Sequence, residues 1–402
     1  MKLSLQLPLL LMVAAKCQAE TRKLLVGAYS GQLTTLKFDT VAGTLTQLSV
    51  NTQGSPRPSW QTLFKNSNGT NLIISSSEAW DGRNDSVVVL SVDANGALSM
   101  ISRSTPGTVV KGPVAVAATK SGLLISASYS GGVNTFSMNP STGLLVTHPL
   151  NTFHYNLTAP GPNPTRQETA HPHHAIVDPT EKFVLVPDLG ADHIHIYSIC
   201  PQGLSELAPV RVAPGSGPRH GVFNPAGKFY YQLNELANRV DVFSVAYNPN
   251  IVLTSVQNIS TYPTGTTPAL SPVPIAGEIQ ISSDGKYVYT SNRGDKTFPH
   301  ARVAPSPSTE LTQSDSITVY TVGADGQLTF LEQSPVAGLT PRHFSLEPTN
   351  GGEYIAVATQ DTGRVAVYQR DKVTGKFGTV PVASIDMATL GVSQPPCVIW
   401  LD

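Results

Sequence analysis

Residues 170–199 read AHPHHAIVDPTEKFVLVPDLGADHIHIYSI, a stretch that contains a histidine cluster, a turn, a strand ending at Asp188, a second turn and another strand. Apolar residues alternate with other residues in both strands, which predicts strands with one face in a core and the other face in a different layer. The stretch has about the size of one supersecondary unit. We interpret it as part of one blade of a β-propeller, with its leading histidines facing the central channel.

Seven segments along the chain share the pattern of this stretch: a proline or small polar residue, alternating apolar residues and a turn. They are PSWQTLFKNSNG from Pro58, PVAVAATKSG from Pro113, PHHAIVDPTE from Pro172, PRHGVFNPAG from Pro218, GEIQISSDG from Gly277, PRHFSLEPTNG from Pro341 and PPCVIWLD from Pro395. Further strand patterns such as KFYYQLNE and RVDVFSV follow these turns, and no amphipathic stretch long enough for a helix is present. The spacing is typical of propeller blades with variable loops, so the predicted fold class is all-β.

The two ends of the chain are predicted to complete one blade together. The segment from Pro395 ends the chain, whereas the mature N-terminus opens on RKLLVGAYS and LTTLKFDTVAG, which read as second and third strands without a first. Sharing a blade closes the ring and leaves no open sheet edge. We therefore predict a single domain, residues 20–402, that forms a seven-bladed β-propeller closed by N- and C-terminal strands sharing one blade. A two-sheet sandwich is the alternative, but it does not explain seven similar units.

Residues 1–19 are predicted to be a signal peptide. Lys2 supplies a positive charge, Leu3 to Val13 form an apolar run, and small residues precede a cleavage site near Ala19. The run is shorter than the ~18 to 20 residues of a membrane anchor, which is the alternative, so we expect a secreted protein without a membrane segment. Four glycosylation sequons fit a secreted glycoprotein; they begin at Asn68, Asn84, Asn156 and Asn258.

Charge, cysteines and histidines exclude several kinds of site. The formal net charge of −1, with 13% charged residues, leaves no basic surface for nucleic acid. We expect Cys200 and Cys397 to be unpaired, because the first ends an outer strand and the second lies on an innermost strand. A metal site is an alternative for the histidines, but no tetrahedral set is expected, because His173 and His174 should point to opposite faces of a strand. The other histidines of that candidate set are His171, His193 and His195.

Polar residues are concentrated where first strands begin and second strands end, two positions that converge on one face of a propeller. They are His173, His174, Asp188, Arg219, His220, Asn234, Glu235, Glu278, Asn292, Arg293, Arg342, His343, Gln360 and Asp361. The blade from Pro113 offers only valine and alanine there. The sequence therefore predicts a functional site on one side of the channel.

The stretches PHHAIVDPTEKFVLVPDL, GPRHGVFNPAGKFYYQLNELANRVDVFSV, GEIQISSDGKYVYTSNRGD and PRHFSLEPTNGGEYIAVATQDTGRVAVY resemble the propeller-type 6-phosphogluconolactonases and 3-carboxy-cis,cis-muconate cyclases of the cycloisomerase 2 family. The chain resembles a secreted fungal-type member, strongly from about Pro172 onward and mainly in pattern before Gly131. The motifs PRH, NEL-N and SNR are specific in combination. By these motifs the family's active-site histidine, two arginines and glutamate correspond to His173, Arg219, Arg293 and Glu235, and counting back to Asp178 favours His173 over His174.

The resemblance implies chemistry on an anionic lactone without a cofactor. We assign Arg219 and Arg293 to anion binding and oxyanion stabilisation, because a guanidinium group stays charged and binds phosphate or carboxylate through two donors. Glu235 or His173 is the expected general base. A buried structural ion pair between Arg219 and Glu235 is the alternative. The expected substrate-binding residues are His174, His220, Asp188, Asn234, Asn292, Arg342 and His343.

Three functions follow from this reading. The first is a lactonase of the 6-phosphogluconolactonase type that opens a sugar δ-lactone; the second is a carboxymuconate cycloisomerase; the third is a secreted propeller that binds a ligand without catalysis. No HExxH, GxSxG, P-loop or GxGxxG motif is present, which argues against zinc proteases, α/β-hydrolases and nucleotide enzymes. The proline-rich segment APGPNPTRQETAHP before His173 is predicted to be a gating loop over the channel mouth, with Gly161 to Gln167 at its centre.

Overall fold

The computed structural model describes residues 20–80, 84–105, 107–265, 275–305 and 307–401, so the predicted signal peptide lies outside the described residues. The described residues form thirty strands and one 3-10 helix. All but two of the strands belong to seven four-stranded sheets, which form the predicted seven-bladed β-propeller.

Blades are numbered here in chain order. Blade 1 contains β1 (Thr21–Gly27), β2 (Leu33–Asp39), β3 (Thr44–Asn51) and β30 (Cys397–Trp400); blade 2 contains β4 (Pro58–Lys65), β5 (Asn71–Ser77), β6 (Ser86–Val92) and β7 (Leu98–Arg103). Blade 3 contains β8 (Pro113–Ala118), β9 (Leu123–Ser128), β10 (Gly132–Ser137) and β11 (Asn151–His154); blade 4 contains β12 (Ile176–Val177), β13 (Phe183–Asp188), β14 (His193–Cys200) and β15 (Gly203–Arg211). Blade 5 contains β16 (Pro218–Phe223), β17 (Phe229–Asn234), β18 (Arg239–Tyr247) and β19 (Ile251–Ser260). Blade 6 contains β20 (Ile275–Ile281), β21 (Tyr287–Arg293), β24 (Ser316–Val322) and β25 (Leu328–Pro335); blade 7 contains β26 (Pro341–Leu346), β27 (Tyr354–Thr359), β28 (Arg364–Gln369) and β29 (Ala383–Asp386).

Blade 1 is closed by the two ends of the chain, as predicted. Strand β30 pairs antiparallel with β1, so that Gly27 lies opposite Cys397 and Leu24 opposite Trp400. Strand β30 also contacts the innermost strands β4 and β26 of its two neighbours. The ring therefore has no open edge at the chain termini.

Apolar side chains of neighbouring blades pack against each other and form the core between them. Leu24 and Phe38 of blade 1, for example, belong to one buried cluster with Val365 of blade 7. Second strands such as β13 are buried along their whole length, whereas outer strands such as β15 are largely exposed. Since the core lies between the blades, polar side chains of the innermost strands can face the central channel.

A bulge recurs at the second residue of the innermost strands. In blade 5, Pro218 lies opposite Asn234 and His220 opposite Leu233, so Arg219 is an extra residue in its strand. Blades 2, 3 and 7 carry the same shift at Ser59, Val114 and Arg342. A bulge interrupts the strand's alternation and redirects side chains. Successive residues such as Arg219 and His220 can therefore both reach the channel.

Three local features go beyond the seven similar units that the sequence predicts. The inner strand of blade 4 has only two residues, and a single bridge between Pro172 and Asp188 continues it. Blade 6 carries an additional hairpin, β22 (Phe298–Arg302) and β23 (Leu311–Ser314), between its second and third strands. A 3-10 helix, Met387–Leu390, follows β29. These features lie in irregular or proline-rich segments, where the alternation of apolar residues that predicts strands is absent.

The two cysteines in the described part of the chain are unpaired, as predicted. Cys200 ends β14 and is half-buried, whereas Cys397 is buried on β30. Burial raises the pKa of the Cys397 thiol to about 12. This thiol is therefore a packed structural group at neutral pH.

Candidate active site

The structure brings Arg219, Glu235 and Arg293 together on one face of the propeller. Glu235 follows β17 directly, and its Oε2 accepts hydrogen bonds from Arg219 Nη1 at 2.8 Å and from Arg293 Nη2 at 2.6 Å. All three residues are buried. Blades 5 and 6 thus place two guanidinium groups on one carboxylate oxygen. The buried ion pair between Arg219 and Glu235, which is the structural alternative to a catalytic role, therefore forms.

Backbone carbonyls hold both guanidinium groups in place. Arg219 Nε donates to the carbonyl oxygen of Gly277 at 2.8 Å, and Arg293 Nη2 donates to that of Ala276 at 2.7 Å. Gly277 has no room for a side chain, because an added Cβ would lie 2.6 Å from Ser291 Oγ. Strand β20 therefore serves as a shared support for the two arginines.

His173 reaches the cluster from blade 4. Its Nε2 contacts Arg219 Nη1, and its Nδ1 lies 3.2 Å from His220 Nε2. His174 is also next to His220, with ring centroids 4.7 Å apart. The expectation that His173 and His174 point to opposite faces of a strand is wrong, because these residues lie in an irregular segment before the short strand β12.

Arg166 is a fourth member of the cluster that the sequence did not reveal. It lies in the predicted gating loop, and its Nη2 forms an ion pair with Glu235 Oε1. The loop is closed by a hydrogen bond from Gly161 N to Gln167 O and is tied to blade 4 by a bond from Gln167 Nε2 to Leu189 O. Because the Arg166 side chain is 31% exposed, it lies between the buried cluster and solvent.

Replacing Arg166 with alanine is expected to raise KM for an anionic lactone by about ten-fold, with a smaller change in kcat, because a charge-assisted contact contributes ~1.5 to 3 kcal/mol. Initial rates over a range of lactone concentrations measure this effect. The same replacement at Arg211, on the outer strand β15, is the control. An unchanged KM in Arg166→Ala would contradict a substrate-binding role for the loop.

The cluster carries excess positive charge. Burial alone would raise the pKa of Glu235, but Arg293, Arg219 and Arg166 hold it well below the usual range of a glutamate. Burial lowers the pKa of Arg219 to about 9, which still leaves the group charged at neutral pH. Three cations thus face one carboxylate. An anionic ligand would complete the charge balance.

A second group of charged and aromatic residues borders the cluster. Glu78 accepts a hydrogen bond from the Tyr29 hydroxyl at 2.7 Å and lies 3.8 Å from the Arg342 guanidinium. The guanidinium of Arg57 also lies over the Tyr29 ring, 4.9 Å from its centre. The predicted ligand-binding residue Arg342 is therefore near the channel mouth and is 18% exposed in its side chain.

His174, His220 and His343 surround the indole ring of Trp60 inside the channel. Their ring centroids lie 5.0, 5.3 and 5.0 Å from that of Trp60. Burial lowers the pKa values of His174 and His343 to about 3 and that of His220 well below its ordinary value, so all three are neutral. His220 and His343 are buried in the channel interior, whereas His174 lines a cavity of about 540 Å³ together with Trp60. Substrate binding by these three histidines stays a prediction.

Two other predicted ligand-binding residues are structural. Asp188 accepts hydrogen bonds from the His171 and Ala191 amides and contacts His195 Nε2 at 3.1 Å. The Asn292 amide nitrogen donates to the Thr261 carbonyl and to two hydroxyl groups of β24. Both residues hold loops and strands together, and ligand binding by them stays a prediction. The Asn234 amide has no hydrogen-bond partner within the described part of the chain, and ligand binding by it stays a prediction.

A cavity of about 410 Å³ opens beside Arg293 on the same face. Its lining includes Lys296, Thr340, Gln360 and Asp361. The Arg293 Nε–H group is buried and has no hydrogen-bond partner among the described residues. The volume is within the ~300 to 1,000 Å³ of small-molecule sites.

A second, much smaller void adjoins the cluster inside the channel. It measures about 10 Å³ and is lined by His173, Arg219, His220 and Arg342, among others. This is about the smallest space that holds one water molecule, and its walls offer several polar partners. A water there would touch the His173 side of the cluster.

The described residues contain no group of three or more histidine, cysteine, aspartate or glutamate side chains that could hold a metal ion. In the same part of the chain, no helix has both the length and the apolar character needed to cross a membrane.

Comparisons with known proteins agree with the observed fold. The family described as "Lactonase, 7-bladed beta-propeller" matches residues 23–400. The chain is 34% identical to the "Probable 6-phosphogluconolactonase" of Arthroderma benhamiae, over 93% of this chain and 88% of the relative, and 30% identical to the 6-phosphogluconolactonase of Bacillus subtilis, over 83% and 85%. Among solved structures, the periplasmic gluconolactonase of Pseudomonas aeruginosa has a TM-score of 0.78 at 25% identity, covering 95% of this chain and 99% of its own. A putative 6-phosphogluconolactonase of Bacteroides fragilis has a TM-score of 0.77 at 26% identity, covering 95% and 98%.

Proposed function

The chain belongs to the seven-bladed β-propeller lactonase family and is a lactone hydrolase, and we propose that its substrate is an anionic sugar δ-lactone, either 6-phosphogluconolactone or a related aldonolactone. The observation that carries this proposal is a cavity of about 410 Å³ that Arg293 lines beside a cluster with excess positive charge. A lactone that bears a phosphate supplies both the carbonyl oxygen and the negative charge that such a site favours.

In this proposal, the carbonyl oxygen of the lactone lies against the Arg293 guanidinium. When water adds to the carbonyl carbon, negative charge develops on the carbonyl oxygen, and a positioned donor stabilises this charge in the transition state. Lys296 lines the same cavity and is exposed, which suits it to the phosphate group. Glu235 keeps the three guanidinium groups in position through ion pairs with them.

His173 is the group that we assign as general base. The pKa of Glu235 is depressed by its arginines, so its carboxylate is a weak base, and each of its oxygens is ion-paired with an arginine. His173 is buried, and burial together with Arg219 and Arg342 keeps its pKa well below the ordinary value, so its imidazole is neutral. The water-sized void beside this ring supports its role in activating water.

A panel of lactones tests the proposed substrate. The purified protein is assayed with 6-phosphoglucono-δ-lactone, glucono-δ-lactone and a carboxymuconolactone, and the spontaneous rate is subtracted from each. We expect saturable opening of the sugar lactones and a higher kcat/KM for the phosphorylated one. Conversion of the muconolactone alone would instead identify a cycloisomerase, and binding without turnover would identify a ligand-binding propeller.

We also propose that the protein is secreted and glycosylated. All four sequon asparagines, Asn68, Asn84, Asn156 and Asn258, have exposed side chains, which supports access to their amide groups. Mass spectrometry of the protein from a eukaryotic culture medium should give an N-terminus at Glu20 and a loss of mass on enzymatic deglycosylation. Retention in the cell with an intact N-terminus would contradict secretion.

A further inference from the structure

The cavity beside Arg293 has two walls of different chemistry. Blade 6 supplies the first wall, where Arg293 and Lys296 contribute positive charge. Blade 7 supplies the second wall from the segments that precede β26 and follow β27, and this wall presents an apolar side chain, a hydroxyl, an amide and a carboxylate; its residues are Leu339, Thr340, Gln360 and Asp361. The proposed chemistry uses only the first wall.

One buried carboxylate fixes the backbone of both walls. Asp315 Oδ1 accepts from the Lys296 amide at 2.8 Å, and its Oδ2 accepts from the amides of Gly294 at 2.8 Å and Thr340 at 2.6 Å. Asp315 itself is fully buried at the start of the third strand of blade 6. The two walls are therefore held at a set separation by the same side chain.

Lys296 and Thr340 both have a left-handed backbone conformation, with φ of 48° and 60°. This region is rarely occupied by residues other than glycine, and least of all by a β-branched residue such as threonine. Such strain persists only where the surroundings fix it, and it is concentrated in binding sites. Here the bonds to Asp315 fix it, together with bonds of 2.8 Å from the Arg342 and Gln360 amides to the Thr340 carbonyl. The Thr340 side chain is thus oriented before any ligand binds.

Thr340 in turn orients Asp361 at the edge of the cavity. Its Oγ1 donates to Asp361 Oδ2 at 2.5 Å. Asp361 is exposed, and a carboxylate can accept about four hydrogen bonds on its two oxygens. The bond from Thr340 uses one of these positions. Asp361 can therefore accept from hydroxyl groups of a molecule in the cavity while Thr340 holds it.

The shape of a sugar δ-lactone decides which of its edges meets Asp361. The carbonyl carbon and the carbon that bears the phosphorylated side arm are both bonded to the ring oxygen. With the carbonyl against Arg293 and the phosphate against Lys296, the edge with the ring oxygen faces blade 6. The opposite edge carries the secondary hydroxyl groups and faces blade 7.

We propose that Asp361, positioned by Thr340, is a specificity residue that accepts hydrogen bonds from the secondary hydroxyl groups of the lactone and so selects polyhydroxylated δ-lactones. The proposal rests on the proposed function, because that function places the ring in the cavity. Hydrogen bonds to a carboxylate are stronger than those between neutral groups. A carboxyl group on the same edge would meet the like charge of Asp361, which favours a sugar lactone over a carboxymuconolactone.

Two lactams distinguish this role from a purely structural one. Glucono-δ-lactam has the ring carbonyl and the hydroxyl groups of the sugar lactone, whereas δ-valerolactam has only the ring carbonyl. Their amide bonds resist hydrolysis, so calorimetry measures their binding without turnover. A structural role of Asp361 would affect both lactams alike, because the shape of the cavity would change. Recognition of hydroxyl groups would affect glucono-δ-lactam alone.

The variant Asp361→Ala is expected to raise the Kd of glucono-δ-lactam by ~10-fold or more and that of δ-valerolactam by less than about two-fold, because only the first ligand loses a charge-assisted contact. Asp361 is exposed, so the variant should fold like the wild type. Asp325→Ala, at an exposed aspartate in the turn between β24 and β25, is the matched control and should keep both wild-type constants.

The variant Thr340→Val tests the positioning of Asp361. Valine keeps the branched shape but lacks the hydroxyl that donates to Asp361. Alone, this replacement should weaken glucono-δ-lactam binding by less than Asp361→Ala does. Combined with Asp361→Ala it should cause no further loss, because Thr340 acts through the carboxylate. A further loss in the double variant would contradict this positioning role.

The outcomes separate this proposal from the proposed function. Unchanged binding of glucono-δ-lactam in Asp361→Ala, or equal weakening of both lactams, would overturn the role of Asp361. A wild type without preference for glucono-δ-lactam over δ-valerolactam would also overturn it. A wild type that shows this preference, loses it in Asp361→Ala and yet opens no sugar lactone would refute the proposed function and support the role of Asp361.

Discussion

Replacing Glu235 with glutamine is expected to lower kcat/KM for the sugar lactone by ~100-fold or more, because the arginines lose the charge that positions them. Removing one partner of a buried ion pair also lowers the free energy of unfolding, by ~3 to 5 kcal/mol. Glutamine retains the size of the side chain, so the effect isolates the charge. Initial rates and thermal unfolding of the same preparation measure both effects.

The stability effect of Glu235→Gln should depend on pH in a defined direction. The pKa of Glu235 is lowered in the folded protein, so its ion pairs stabilise the fold fully above the range in which an unfolded glutamate titrates, ~4.3, and this stabilisation is lost as pH falls. The difference between wild type and variant should therefore shrink on acidification. Glu181→Gln, which removes a surface pair with Lys120 at 3.5 Å, is the control and should change stability by less than ~0.5 kcal/mol. A Glu235→Gln protein as active and as stable as the wild type would show that the cluster supports neither catalysis nor the stability of the fold.

Replacing Arg293 with alanine is expected to lower kcat by ~100- to 1,000-fold on both glucono-δ-lactone and its 6-phosphate, as removal of an oxyanion donor does. The effect should be equal on the two substrates, because the carbonyl that Arg293 faces is common to both. Glu235 keeps Arg219 and Arg166 as partners in this variant, so the fold should be preserved. Steady-state kinetics on both lactones measure the two losses.

Lys296→Ala separates carbonyl recognition from phosphate recognition. Lys296 lines the same cavity as Arg293 but is exposed, so its loss should raise KM for the phosphorylated lactone by about ten-fold and leave the unphosphorylated lactone unaffected. If Arg293→Ala instead weakened only the phosphorylated substrate, Arg293 would be a phosphate ligand and not an oxyanion donor.

The architecture was predictable because it depends on local patterns that repeat. Alternation in segments such as KFVLVPDL and HIHIYSI, seven strand starts and an incomplete blade at each end were sufficient to predict the closed ring. The hairpin of residues 298–314 was not predicted, since its two short strands lie in a proline-rich insertion without a clear period.

The site was predictable only in part. The motifs that contain Arg219, Glu235 and Arg293 led to residues that do meet, but side-chain direction depends on features that the pattern does not show. The bulge at Arg219 allows Arg219 and its neighbour to face the channel together. The side chains of Asn292 and Asp188 instead form hydrogen bonds with the backbone of neighbouring segments. Arg166 enters from a loop whose path is set by its own hydrogen bonds and by Leu189, and its only signal in the sequence was a charge within a proline-rich insertion.

The most direct test of the account compares the wild-type protein with Arg219→Met in opening 6-phosphoglucono-δ-lactone near neutral pH. Arg219 contacts both His173 and Glu235, so its loss separates the proposed base from the rest of the cluster while methionine fills much of the space. Acid release in a weak buffer, with the spontaneous rate subtracted, measures turnover. The account predicts saturable catalysis by the wild type and a rate close to the spontaneous one for the variant. A wild type no faster than the spontaneous reaction, or a variant as fast as the wild type, would contradict it.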